Sequence, residues 1–239
     1  MKLLSALIGL LLLAALPARA GDTAELAILG FSADGGVFAF EEYGMQDGSG
    51  FVYANRYYID TATDKFLPGT PVRVTLEEDG ATVNHARAQA SAQGEAIVPA
   101  SVLAANPGFT AGLNPVTEFG ADPFRMAVNP RPVFPAIDPP LEVRLEQFPI
   151  LPGPDICQNL GVPLGFSLVR LDTADGGVTK LLHKESSIPA SRGCPIGYRI
   201  AGIQTFSADA LTAFAVLIAV EKVGFEGPDH RYIAVTSRF

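Results

Sequence analysis

Turn-forming residues break this chain into short pieces, and that punctuation limits its fold more than any other feature. Glycine (24) and proline (19) in 239 residues are together half as common again as the average of about 12%. A helix bundle cannot carry so many breaks. Asp34-Gly35-Gly36 stands between the apolar runs Glu25–Phe31 and Val37–Tyr43. Asp-Gly-Gly supplies the positive φ angles of a tight hairpin. A second hairpin is read from Phe166–Leu171 and Val178–Leu182 around Asp172-Thr173-Ala174-Asp175-Gly176-Gly177.

The remaining apolar runs are short and β-like. Arg56–Asp60, the alternating Leu141–Glu146, Tyr198–Phe206 and Tyr232–Thr236 all read as strands. Leu211–Val220 is ten residues of nearly unbroken apolar character. It is too short to span a membrane as a helix, and it reads as a central strand buried on both faces. Only Asp79–Gln93 changes character: Val83, Ala86, Arg87 and Ala90 predict one helix of about three turns, stopped by Gly94. Phe66–Leu76 reads as extended, broken by Pro68 and Pro71, and Asn106–Pro140 as loops with a short strand near Phe124–Val128.

Phe31–Phe40 and Pro228–Val235 form a faint internal repeat resembling the turn and second strand of a propeller blade. The expected fold is mainly β with one short helix. Its antiparallel hairpins form a propeller-like stack, with the N- and C-terminal strands close together. A β-sandwich with a packed helix is the alternative. The expected organisation is a signal peptide over residues 1–20 and one mainly-β domain over 21–239.

The signal reading rests on an ordered pattern. Lys2 gives a positive start, Leu3–Leu16 an apolar run, and Ala18-Arg19-Ala20 the small residues that a signal peptidase reads. Cleavage is expected after Ala20. No cysteine lies there to take a lipid, so no membrane anchor is expected once the signal is removed. Two cysteines remain, Cys157 and Cys194. In an exported protein a disulfide is their simplest use. Closing a loop of this size stabilises by about 4 kcal/mol in the chain-entropy model.

Several chemistries lack support. The formal charge of -8 argues against nucleic acid as a partner, since phosphates need a basic surface. His85, His183 and His230 lie far apart without zinc-site spacing, so no metal is expected. There is no nucleophile elbow, no P-loop and no dinucleotide fingerprint, so no cofactor is expected either. What remains is the acidic segment Glu41 to Asp47. If the strand from Phe40 continues, Glu42 faces the core with Phe38 and Phe40, and such conflicts tend to mark functional or strained sites. Carboxylates there could do acid–base work, bind a cation, or prop up the backbone. If the strand ends at Glu41, they simply meet water. Glu41, Glu42, Gln46 and Asp47 are therefore the candidate binding residues. Arg192, next to Cys194, is their candidate ion partner.

Gly30-Phe31-Ser32, Phe40-Glu41-Glu42-Tyr43-Gly44 with Gln46 to Phe51, Pro68 to Pro71, Ser191-Arg192-Gly193-Cys194 and Gly224-Phe225-Glu226-Gly227-Pro228-Asp229 together resemble a family of secreted bacterial proteins of unknown function. The resemblance spans almost all of the chain after the signal. It implies export in Gram-negative bacteria, to the periplasm or beyond, and implies no activity. The expected function is a non-enzymatic binding or interaction module of the cell envelope, with an envelope protein or a small ligand as partner. A periplasmic hydrolase using the carboxylates of Glu41 to Asp47, with glycans as its candidate substrate, is the alternative.

Overall fold

The computed structural model describes residues 21–171 and 177–239. Residues 1–20, expected to be a signal peptide, and residues 172–176, expected to form the turn of the second hairpin, lie outside the described residues. The fold is mainly β: three antiparallel sheets stack face to face, and no closed barrel forms among the described residues.

The first sheet comes from the N-terminal third. It contains β1 (Glu25–Phe31), β2 (Val37–Met45), β3 (Val52–Asp60), the two-residue β4 (Lys65–Phe66) and β5 (Val72–Leu76). Its order is β1-β2-β3, with β4 and β5 both pairing to β3. The β1–β2 turn is closed by Asp34, whose carboxylate accepts from the Ser32 hydroxyl and the Gly36 amide. Gly35 supplies the positive φ of 68°.

The central sheet joins β6 (Phe109–Leu113) to the long C-terminal strands β11 (Pro195–Ser207), β12 (Leu211–Val223) and β13 (Pro228–Arg238), in the order β6-β11-β12-β13. The third sheet holds β7 (Arg125–Val128), β8 (Leu141–Pro149), β9 (Leu164–Leu171) and β10 (Lys180–Lys184). β9 and β10 pair as the second hairpin requires.

β12 shows why the sheets stack in this order. Successive side chains point to opposite faces. Ala213, Ala215, Leu217 and Ala219 face the first sheet, while Phe214, Val216, Ile218 and Val220 face the third. The small face meets a row of rings: Phe31 on Phe38 (4.9 Å between centroids), Phe40 stacked on Tyr57 (4.5 Å), and Phe31 on Phe206 (5.2 Å). Large rings on one sheet fit against alanines on the next at the usual spacing of about 10 Å. Each fully buried ring contributes about 1.5–3 kcal/mol. The other face packs aliphatics against Leu141, Val143, Leu145, Phe166 and Leu168.

Helix α1 (Val83–Gly94) covers the outer face of the first sheet. Thr82 caps it by accepting the His85 amide. Its buried stripe is only Ala86, Ala90 and Gly94, which lets it lie close to Val52, Ala54, Val72 and Val74. A further short helix, α2 (Ala100–Ala105), docks on β1. Gly30 is the contact. At φ 124° it makes a bulge, and a Cβ there would stand 2.3 Å from the Leu103 carbonyl oxygen.

The chain ends meet. Ala24 donates its amide to the His230 carbonyl (3.0 Å), and the His230 amide donates to Asp22 (2.8 Å). Cys157 and Cys194 are disulfide-bonded. Phe66–Leu76 is extended on both sides of its prolines, as two short strands, in keeping with its reading. Two local readings change. Phe109–Leu113 is a strand within the stretch expected to be loops. The blade-like turn at Pro228-Asp229 is strand, because the reversal falls before it, between Val223 and Pro228.

Candidate binding site at the edge of the C-terminal strand

β13 is the last strand of the central sheet, so alternate N–H groups along it point away from any neighbour. Such an edge invites pairing with another chain unless it is covered. Here three outward N–H groups find acceptors. His230 donates to Asp22 as above. Tyr232 donates to Glu42 Oε2 (2.8 Å), and Thr236 donates to Asp64 Oδ1 (2.7 Å). Two of the three acceptors are carboxylates carried in by the first sheet.

The placement of Glu42 follows from strand geometry. β2 runs on to Met45, so Glu42 shares the face of Phe38 and Phe40 and is buried there. It accepts from the Tyr57 hydroxyl (2.6 Å) and Asn55 (3.1 Å) as well as from Tyr232. Burial, followed by the charge of Glu42, holds the Tyr57 phenol well above its usual range, so that hydroxyl stays a donor. Tyr232 is raised for the same two reasons.

Glu41, one residue earlier, projects to the opposite face. It is fully buried under α1 and accepts from Arg56 (3.0 Å) and Arg87 (2.8 Å). The Arg87 guanidinium also lies over the Tyr43 ring, 3.9 Å from its centroid. Adjacent residues on one strand cannot serve one pocket, so Glu41 and Glu42 do not form an acid–base pair.

Gln46 and Asp47 lie beyond the end of β2, in the turn. Gln46 accepts from the Ser49 hydroxyl (3.0 Å), and Asp47 accepts from the Glu226 amide (3.2 Å). The Phe225 ring packs over Gly48, 3.2 Å from where a Cβ would stand. The runs Gln46–Phe51 and Gly224–Asp229, far apart in sequence, are therefore in contact.

Arg192 does come to Glu42's neighbourhood. Both line a pocket of about 220 Å3 between β13 and the edge of the first sheet. Tyr57, Phe66 and Ile233 form its apolar wall, and Arg73, Arg192, Lys222 and Arg231 its cationic lining. Arg192 pairs with Glu185 rather than with Glu42. Lys222 pairs with Asp229 (3.4 Å), and Arg231 with Asp22. Arg73 is exposed on β5 and forms no ion pair among the described residues. The disulfide anchors Cys194, two residues after Arg192, and so fixes this corner of the pocket.

A polar cluster continues along the same edge. Glu185 accepts from the Phe166 amide (3.3 Å) and lies near the Tyr198 hydroxyl (3.4 Å). Burial raises its carboxyl, although Arg192 pulls the other way. Burial also pushes Tyr198 up to about 12. His183 stacks on Phe166 (4.8 Å between centroids) and sits 3.9 Å from Asp64 and 4.0 Å from Glu185. Sequence reading found none of Asp22, Asp64, Glu185, Arg231 or Tyr232. Their partners lie up to 209 residues away, and no local pattern marks such pairs. Among the described residues, no group of three or more His, Cys, Asp or Glu side chains is arranged to hold a metal ion, and no helix is long and apolar enough to cross a membrane.

The secreted character expected from the sequence agrees with a family match. A family model described as "Predicted secreted protein (DUF2259)" matches residues 39–238. The chain belongs to that family, whose function is unknown. The match takes in the acidic segment, the loop carrying Arg192 and both touching runs. Searches of curated proteins and of solved structures return no match.

Proposed function

We propose that the protein acts in the Gram-negative periplasm, after removal of residues 1–20, as a non-enzymatic binding module that holds a small anionic ligand in the β13-edge pocket. The observation that carries this is the division of charge around Glu42. The carboxylate is occupied by three donors, whereas the surrounding lining presents four cations, of which Arg73 has no ion-pair partner among the described residues. An occupied, propping carboxylate is poorly placed to move protons. A free guanidinium over an apolar wall suits an anion with a small hydrophobic body. Glu41, the other carboxylate a hydrolase would need, faces α1.

Calorimetric titration of the mature protein with inorganic phosphate and with succinate tests this. Binding of at least one is expected, weakened about tenfold or more by Arg73→Ala, because a charge-assisted hydrogen bond contributes about 1.5–3 kcal/mol. Glu42→Gln should leave that binding in place. Glycan hydrolysis by the native protein that disappears in a folded Glu42→Gln variant would overturn the reading in favour of a hydrolase.

A further inference from the structure

We propose that a second site, independent of the β13 pocket, lies at the opposite edge of the same two sheets and takes a small neutral molecule with an apolar ring and one hydroxyl, of which phenol is the simplest example. At this edge β1 and β6 are both terminal strands, and they leave a pocket of about 200 Å3 between them. Leu26 and Ile28 come from β1, Leu113 from β6 and Leu217 from β12. The polar side chains are Thr110, at the exposed rim, and Gln204. No ionisable side chain lines the pocket among the described residues.

Gln204 makes this more than a gap. It is 4% exposed, and its amide oxygen is buried with no hydrogen-bond donor among the described residues. A buried acceptor without a donor is destabilising, whereas an apolar side chain of the same shape would be close to neutral. Water answers that need poorly, because a buried water settles where it finds two to four polar partners, and this lining is mostly apolar. A charged ligand would enter without compensation. A neutral hydroxyl donor on an apolar body satisfies both the orphan oxygen and the leucine and isoleucine walls. Size agrees: an apolar cavity of about 150 Å3 accepts benzene, so about 200 Å3 leaves room for a ring bearing a hydroxyl.

The test is a titration of isotopically labelled mature protein with phenol and, separately, with toluene, followed by amide chemical shifts. Phenol should bind about tenfold more tightly than toluene, the ratio expected of one hydrogen bond to a buried acceptor. The shifts should fall on β1, β6 and β11. Gln204→Met should bring the two affinities together while the protein melts normally, and Leu26→Trp should fill the pocket and abolish both. Equal affinities in the native protein, absence of binding by either compound, or a preference for phenol that survives Gln204→Met would each overturn the proposal.

Discussion

The two edges of the central sheet are finished in opposite ways. At β13 the outward amides are met by Asp22, Glu42 and Asp64, and a shell of ion pairs closes around them. At β6 the neighbouring space is mostly apolar, left open, and holds one amide oxygen with no donor among the described residues. Both edges face the hazard of pairing with another chain. The β13 side meets it with buried carboxylates that hold the edge in register. The β6 side relies on a five-residue strand, too short to template much. Stability should therefore reside at the polar edge, and tolerance to substitution at the apolar one.

The largest effect comes from removing the polar edge altogether. Deleting residues 228–239 takes away β13, exposes β12 along its length and strips cover from the ring row around Phe40 and Tyr57. The expected product is insoluble. A soluble truncated protein that melts as cooperatively as the full chain would break the comparison. Next is Glu42→Ala, which leaves Asn55, Tyr57 and the Tyr232 amide without their acceptor. Buried unsatisfied groups cost about 1–3 kcal/mol each, so a loss of about 3 kcal/mol or more is expected in urea unfolding. Glu42→Gln, which keeps an acceptor, should lose clearly less. Equal losses would show that charge rather than capping matters.

Gln204→Met supplies the contrast. Its oxygen has no donor to lose among the described residues, so the substitution should be neutral or stabilising by up to about 1 kcal/mol. A loss as large as that of Glu42→Ala would mean that the two edges are not energetically different.

The sequence made one half of this legible. Asp34-Gly35-Gly36, the ten-residue run in β12 and the Ala-rich α1 could be read from local patterns, because turns, periodicity and capping act within a few residues, whereas the meeting of the chain ends was expected from the faint repeat of Phe31–Phe40 at Pro228–Val235. β12 was legible as doubly buried because both its faces are apolar. The conflict at Glu42 was also visible, since strand alternation placed it beside Phe38 and Phe40. What it does there was not, because its partner Tyr232 is 190 residues away. Asp64 has no mark in the sequence: its positive φ of 55° in the turn after β3 appears only in the structure, and its role as the cap of Thr236 depends on how two sheets stack. β6 was missed because Phe109–Leu113 includes Gly112 and follows Pro107-Gly108, so local propensity argues against the strand that pairing with β11 imposes.

The smallest expected effect is a pH dependence confined to the polar edge. Burial lowers the His183 imidazole below its ordinary 6.5, and the charge of Arg192 adds to that. The carboxylates facing it, Asp64 and Glu185, are both raised by burial, while Thr236 and Arg192 respectively hold them down in part. The signs oppose. A histidine depressed in the folded state is protonated first in the unfolded chain, so its contribution is present above about pH 6.5 and is lost as pH falls towards the folded value. Raised carboxyls do the reverse: their contribution is present at acid pH and is lost as pH rises through their folded values. Between pH 7 and 5.5 the histidine by itself makes the protein slightly less stable, and the two carboxyls oppose it. His183→Phe keeps the stack on Phe166 and removes the titration, so it should remove that loss, under about 1 kcal/mol, a small amount because the side chain is 31% exposed. Gln204→Met should leave the slope unchanged. Urea midpoints at pH 7 and 5.5 for the three proteins decide it. A loss of stability on acidification that survives His183→Phe would move the titrating group elsewhere and remove pH sensitivity from the differences between the two edges.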